Sequence, residues 1–447
     1  MTPVPAFNII AQVRCTRQEV VMNRIKKKFM THPLIDTLMH ARGNEGACLW
    51  TEPLWGIPFN LYAPFASAYM IALGLSPLEV GITVTVLTVS QMFWSLLGGP
   101  LTDKMGRRLC TLIFDVLCWS VPALLWMFAQ NEKWFYAAAL FNGMIRVTEN
   151  SWTLLFIEEA PENKLVHLYS LSSIAGMLAA FVTPLSYFFV DRFTLIPTMR
   201  FLYGLTFVLM TVKFVLLYFI THETAIGKRR LMECRGRSLF SHLLDSKNVL
   251  KLMLKDRRIM LTVALLACFG AFRSVNDNFW SLFIINKLGV DEKYISLFSM
   301  LRNMILMVGF FVFTPHLNVR GFLRPVVLAF SGLAVVQVLL FFLKEASFPL
   351  LALGVVVEAL SLSVLSPITS SLQVVNVDKE ERARMNGLLL AMCLLITSPA
   401  GVVAGALSQT DRALPFVLTF VLCIVSIYIS IKVYQARHLV HEAAAVG

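Results

Sequence analysis

Charge is what this chain has least of. Only 15% of its 447 residues are charged, against 57% hydrophobic, and the mean hydropathy is +0.70. Soluble domains carry about 25% charged residues, so a soluble fold is excluded and a polytopic membrane protein is implied. Histidine is missing from the interior of every apolar run. All eight (residues 32, 40, 167, 222, 242, 316, 438 and 441) lie in tails, loops or run ends, which argues against haem ligation and an intramembrane histidine relay. There is no H-E-x-x-H and no C-x-x-C, so no metal or redox site is expected. Half of the eight cysteines, Cys118, Cys268, Cys393 and Cys423, sit inside apolar runs, and no disulfide framework is implied. A phosphate-binding G-x-x-x-x-G-K-[ST] is also absent, which disfavours an ATP-driven pump. The first fifty residues are polar and basic, without the short apolar run of a cleavable signal peptide.

What is present is a succession of long apolar runs. A membrane-crossing helix needs about 20 mostly apolar residues. Read against their breakers, the runs predict twelve spans: 53–74, 79–100, 109–129, 134–157, 167–190, 198–220, 258–285, 293–315, 323–343, 347–373, 385–406 and 413–433. The fold class expected is an all-α membrane protein of two six-helix bundles. Residues 1–51 form a basic tail, within which 16–40 read as a solvated stretch, with a basic surface helix as the alternative. Residues 52–220 form the first bundle, 221–257 a basic linker, 258–434 the second bundle and 435–447 a second tail. A native start at Met22 or a later methionine is left open.

The net charge of +12 would suggest nucleic acid in a soluble chain, but here its placement decides. Lysine and arginine collect on the cytoplasmic side of membrane proteins. With the N-terminus inside, the inner segments hold 28 of the 39 Lys and Arg and the outer loops hold 7. Both termini are therefore expected in the cytoplasm, in the plasma membrane. The partners expected are lipid and a small molecule, not nucleic acid, and the chain is expected to act as a monomer.

A shift of 215 residues brings landmarks into register: Leu73-Gly74 on Leu288-Gly289, Pro100 on Pro315, Gly106 on Gly321 and Pro184 on Pro399, with Asp103 on Asn318. Two parallel repeats with a site at their interface are a transporter pattern.

The segment "GGPLTDKMGRR", residues 98–108, carries Gly99-x-Leu101-x-Asp103-x-x-Gly106-Arg107-Arg108 between spans 2 and 3, and a worn copy, "TPHLNVRGFLRP", lies between spans 8 and 9. With the six-plus-six arrangement, this resembles the major facilitator superfamily. The residues themselves suggest that Gly99 lets span 2 pack closely, that Gly106 takes a positive φ at a tight turn, and that Asp103 caps a helix or pairs with an arginine. The resemblance implies that this cluster locks the cytoplasmic side of the two halves, with Glu158 and Glu159 as partners for Arg107 or Arg108. It also implies that spans 1, 4, 7 and 10 line a central cavity. The remaining reading is a generic basic turn.

A charge at mid-bilayer costs at least about 2.5–3.5 kcal/mol, so it is a functional candidate. Span 4 carries Arg146, Glu149 and Asn150, which helical spacing puts on one face. Span 7 carries Arg273, Asn276 and Asp277, span 8 Arg302, and span 10 Glu358. Arg146–Glu149 and Arg273–Asp277 read either as substrate-binding groups or as pairs that only hold the fold. Glu358 has no sequence-local partner, which suggests a carboxyl able to carry a proton. Lys213 and Asp115 lie nearer the inner end, where Lys213 can snorkel. Asn60, Tyr62, Tyr69, Trp152 and Trp280 are candidates for the cavity wall, or for plain core and lipid packing.

The reading that results is a secondary transporter, not an enzyme, moving a small polar or amphipathic solute by alternating access. It needs no cofactor and draws on a proton gradient. The alternatives are a membrane-embedded enzyme or a non-transporting receptor and, within transport, an uncoupled facilitator or multidrug efflux.

Overall fold

A computed structural model describes residues 33–160, 165–234, 250–251, 253–313, 317, 321–343, 347–375 and 382–446. These residues contain helices and no strand. Among the described residues, ten helices are long and apolar enough to cross a membrane. The other two expected spans are broken. Span 1 runs as Pro53–Tyr62, a 3-10 turn at Ala63–Phe65, and Ala66–Ala72, because Pro64 lacks the N–H that would continue the ladder. Span 4 runs as Glu132–Asn142 and Ile145–Ile157, with its break at Gly143.

Local signals fix the span ends. Span 2, Pro77–Met105, opens on Ser76, whose hydroxyl accepts from the Glu79 N–H while Glu79 accepts from the Ser76 N–H; each end of this box satisfies a donor the helix leaves free. Span 2 closes on Gly106 at φ +84°, and span 3, Arg107–Met127, starts on the next residue. The 215-residue repeat is visible in the backbone. Gly74 and Gly289 both have positive φ, at +93° and +66°, where spans 1 and 7 turn. Pro184 and Pro399 each stand at the break of a divided helix, in spans 5 and 11. Gly106 and Gly321 do not match: Gly321 is outside the positive-φ set. Asn318 lies outside the described residues.

The alternating chain gives the bundle two ends. One carries residues 98–108 and is called the basic end; the opposite one is the far end. The largest apolar cluster among the described residues spans both halves, and it sits toward the far end. It packs Phe65 and Tyr69 of span 1 with Phe279, Leu282 and Phe283 of span 7 and Ala404 of span 11. Spans 2 and 11 (the latter Arg382–Thr397 and Pro399–Thr410) cross on glycine: a Cβ on Gly405 would lie 2.7 Å from the Pro77 carbonyl oxygen. Lys293, beside span 8, bonds Asp191 of span 5 at 2.7 Å, and Tyr187 meets Tyr294 at 5.9 Å between ring centres. Toward the basic end the apolar clusters belong to one half or the other, with Leu96 of span 2 leaning on a cluster of spans 7 and 11. Ion pairs between described residues there lie within one half or the linker, or join a half to the linker, and none of them joins the first half to the second.

Two expectations change. Part of the tail assigned to 1–51 is built structure. Helices cover Pro33–His40 and Gly43–Thr51, and the second buries Cys48 and Leu49 against Leu155, Phe156 and Leu217. Asn44 exchanges two hydrogen bonds with the His222 backbone, at 2.9 and 3.0 Å. Residues 1–32, with the basic run and Met22, lie outside the described residues, as do 235–249 of the linker. Lys213 does not snorkel: it is buried and bonds Glu52 at 2.9 Å, because it faces spans 1 and 3 rather than lipid. Asp115, also buried, accepts from the Thr148 hydroxyl at 2.7 Å.

Candidate functional site

The break in span 4 builds the first half of the site. Gly143 packs against Ser90 of span 2, and any Cβ there would collide with the Ser90 side chain and backbone. The turn tightens so that the Met144 N–H bonds the Phe141 carbonyl. This frees the Leu140 carbonyl, which accepts from the Ser90 hydroxyl at 2.7 Å. Arg146 follows directly. Its Nη1 donates to Glu149 at 2.7 Å and its Nη2 to Gln91 of span 2 at 2.8 Å. Nε is buried without a partner. Glu149 is 51% exposed, although it lies in the middle of a span. Asn150 turns to span 2 instead, donating to the Thr102 hydroxyl at 3.0 Å.

The second half supplies a charge-balanced cluster. Arg273 reaches Asp277 one helical turn on, at 3.3 Å. Arg302 of span 8 lies between two carboxylates, 2.8 Å from Asp277 and 3.1 Å from Glu358. Asn276 donates to Glu358 at 2.9 Å. Glu358 is buried but not unpartnered; its cation comes from span 8, 56 positions back, which no helix-local rule connects. Two arginines thus face two carboxylates, and a single arginine ties spans 7 and 10 together through span 8. Paired in this way, the four charges offset part of the desolvation that burial costs each of them.

Spans 2, 4, 7, 10 and 11 enclose a cavity of about 390 Å³. Its polar wall includes Gln91, Arg146, Ser274 and Asn278, and its apolar wall includes Phe269 and Leu389. Gly270, Ser274 and Asn278 recur every four residues, so one face of span 7 meets the cavity while Arg273 and Asp277 lie on the adjoining face. Ser274 has no charge to mark it in a sequence; only that spacing could have found it.

The five wall candidates line other places. Tyr69 is buried and donates to the Trp126 carbonyl at 3.0 Å, inside the first-half core. Tyr62 packs against Tyr203 at 4.8 Å. Asn60 bonds its own helix at Gly56. Trp152 stacks on Phe156 at 5.1 Å toward the basic end. Trp280 packs edge-on against Phe298 at 5.6 Å.

At the basic end Arg107, 3% exposed, holds Glu158 at 2.9 Å and Asp103 at 3.0 Å. Glu223, just past span 6, accepts the N–H groups of Arg107 at 2.9 Å and Arg108 at 3.0 Å, and so caps the positive end of span 3. Arg108 donates to the Tyr218 carbonyl at 2.6 Å and lies 4.0 Å over the Tyr218 ring. Glu159 pairs with His222 at 2.8 Å, and Glu158 also accepts from Thr224. Between described residues, these bonds knit spans 2, 3, 4 and 6 to the linker helix Ala225–Glu233 and do not cross to the second half. The packing role expected of Gly99 falls to its neighbour. A Cβ on Gly98 would lie 3.1 Å from the Arg146 carbonyl, whereas nothing stands within 4 Å of one on Gly99. Gly321 is exposed and has no such neighbour. Glu223 went unread in the sequence, although a carboxylate three residues past a span and beside a helix-capping Thr224 was a usable signal.

Solved structures share this arrangement. The nucleoside transporter NupG matches with a TM-score of 0.67 at 13% identity, over 88% of this chain and 99% of that one. A POT family transporter in complex with 5-aminolevulinic acid matches with 0.64 at 16% identity, over 87% and 94%. The peptide transporter POT in complex with sulfate matches with 0.64 at 13%, over 88% and 95%. At such identities the likeness is one of fold. No curated protein gives a significant sequence match. The family model described as Major Facilitator Superfamily matches residues 55–393, and with its helical halves around a central cavity the chain belongs to that superfamily.

Proposed function

We propose that the protein is a secondary active transporter that moves a small polar or amphipathic solute across the plasma membrane by alternating access, with both termini in the cytoplasm. The observation that carries the reading is the cavity at Arg146, enclosed between halves that are closed on each other at the far end. With the basic end cytoplasmic, this arrangement faces inward. The solved neighbours are named as nucleoside and peptide transporters, which supports a polar organic solute. Coupling to protons rests on the second-half cluster. A proton on Glu358 releases Arg302 to Asp277 alone, loosening span 10 from span 8. Monomeric action is part of the same reading, since each chain contains both halves of the cavity.

The pairing of both carboxylates with arginine favours an uncoupled facilitator as the second reading. Reconstitution in liposomes with a lumenal pH dye separates the two. Solutes from the nucleoside, peptide and organic-acid classes are offered under an imposed pH gradient. Proton coupling is supported if solute entry moves the dye and Glu358→Gln transports without moving it. A dye trace that ignores solute in the parent protein establishes the facilitator, and no flux of any solute sinks transport.

A further inference from the structure

Among the described residues the cavity has one charged residue in its wall, and that residue is a cation. Arg146 is held from one side by Glu149, which takes Nη1. The opposite edge of the guanidinium, Nε with Nη2, is the edge that chelates a carboxylate through two parallel bonds. Here Nη2 is occupied by the neutral amide oxygen of Gln91 and Nε has no partner. A buried donor without an acceptor costs about 1–3 kcal/mol, which an incoming acceptor relieves. The carboxylates of the site are committed elsewhere: Asp277 to two arginines, Glu358 to Arg302 and Asn276, and Glu149 to Arg146 itself. An ammonium group entering the cavity therefore meets no carboxylate in its wall. The rest of the wall is divided between amide and hydroxyl groups and an apolar part built on Phe269, Leu266 and Leu389. The volume of about 390 Å³ sits near the lower end of the roughly 300–1,000 Å³ of small-molecule sites.

We propose that the cavity selects a small organic monocarboxylate, with its carboxylate on the Nε–Nη2 edge of Arg146 and its apolar body against Phe269. Gln91 gives up Nη2 to the ligand and turns its own amide N–H toward it. Glu149 stays on Nη1 and keeps the guanidinium aimed across the cavity. The assignment deepens the transport reading, but binding tests it without flux.

The full-length purified protein is titrated at neutral pH with benzoate and butyrate, and with benzamide, benzylamine and sulfate as isosteric, cationic and inorganic comparators. Binding is read by calorimetry and thermal stabilisation. Benzoate is expected to bind at least ~10-fold more tightly than benzamide, a difference of about 1.4 kcal/mol, and Arg146→Gln is expected to remove that preference. Phe269→Ala should weaken benzoate more than butyrate. If Arg146→Gln does not fold, the comparison of benzoate with benzamide on the parent protein decides alone. Benzamide, benzylamine or sulfate binding as tightly as benzoate overturns the assignment, and so does the absence of millimolar binding by either carboxylate. Carboxylate binding with no flux in liposomes removes transport and leaves the assignment. Flux of other solutes without carboxylate binding does the reverse.

Discussion

The hydroxyl of Thr85, in span 2, is inserted into the backbone ladder of span 11 at Val402. It accepts the Val402 N–H at 3.1 Å and donates to the Ser398 carbonyl at 2.8 Å. Those two groups would bond each other in an unbroken helix, so one side chain of the first half completes a helix of the second. Thr85→Val keeps the shape and withdraws the hydroxyl. The expected loss is about 1–3 kcal/mol, the cost of stranding buried backbone groups, read as a lower melting temperature. Thr85→Ser should retain most of the stability; equal melting for all three proteins would refute the role.

Gly405 sets how closely the halves meet. A Cβ there would lie 2.7 Å from the Pro77 carbonyl oxygen and 3.0 Å from the Leu78 Cα, and backbone cannot swing aside as a side chain can. Gly405→Ala is expected to push spans 2 and 11 apart at the far end and to raise labelling of a Leu78→Cys reporter. Gly354→Ala, whose Cβ would find only ordinary contact at 3.7 Å with Val336, serves as the comparison and should leave labelling unchanged.

The Asp191–Lys293 pair crosses the halves at the far end. Exposed pairs are worth about 0–1 kcal/mol, enough to shift a balanced conformational equilibrium without unfolding the protein. Asp191→Lys is expected to lengthen the distance between spin labels on the far ends of spans 5 and 8. Adding Lys293→Asp should restore it, and high salt should mimic the single change. An unaltered distance in the single variant rules the clasp out.

Glu158 neutralises a buried guanidinium. Breaking a buried pair from one side costs about 3–5 kcal/mol, because the remaining charge keeps its desolvation penalty. Glu158→Gln should therefore lower thermal stability far more than Glu159→Gln, whose partner His222 is mostly exposed. Similar melting temperatures for the two variants would contradict this.

Asp411 joins Lys287 at the far end at 2.6 Å. The Ala413 N–H and then the Lys287 ammonium hold its carboxyl below the usual carboxylate range. A depressed carboxyl contributes stability above its unfolded value, near 3.9, and loses it as pH falls through its own lower value. This contact is expected to stay constant from about pH 5 to 8. A double-mutant cycle of Asp411→Asn with Lys287→Met, followed across that range, should give one coupling value; a coupling that faded toward pH 5 would reverse the sign of the argument.

Much of the fold was legible because membrane insertion writes it in long apolar runs, and because the repeat reuses turn residues such as Gly74 and Gly289. The charged candidates stood out for the same reason: charge is costly at that depth, so few residues bear it. The breaks in spans 1 and 4 were harder to read, since Gly143 matters only for the approach of Ser90, 53 positions away. Long-range partners were hidden altogether. Arg302 meets Glu358 through the packing of three helices, and Thr85 meets span 11 across the whole length of the linker. The aromatic wall candidates pack away from this cavity, because type alone cannot tell a cavity from a core: Tyr69 has its hydroxyl satisfied by the Trp126 carbonyl.

The cluster that joins the halves at the far end is almost wholly aromatic and aliphatic, from Phe65 and Tyr69 to Phe279 and Phe283. Parting it would bring apolar surface into contact with water, and such exposure carries a positive heat-capacity change. The balance between a closed and a parted far end should then curve with temperature rather than follow a straight van't Hoff line. The same molecule would be held closed by entropy in the cold and increasingly by enthalpy in the warm.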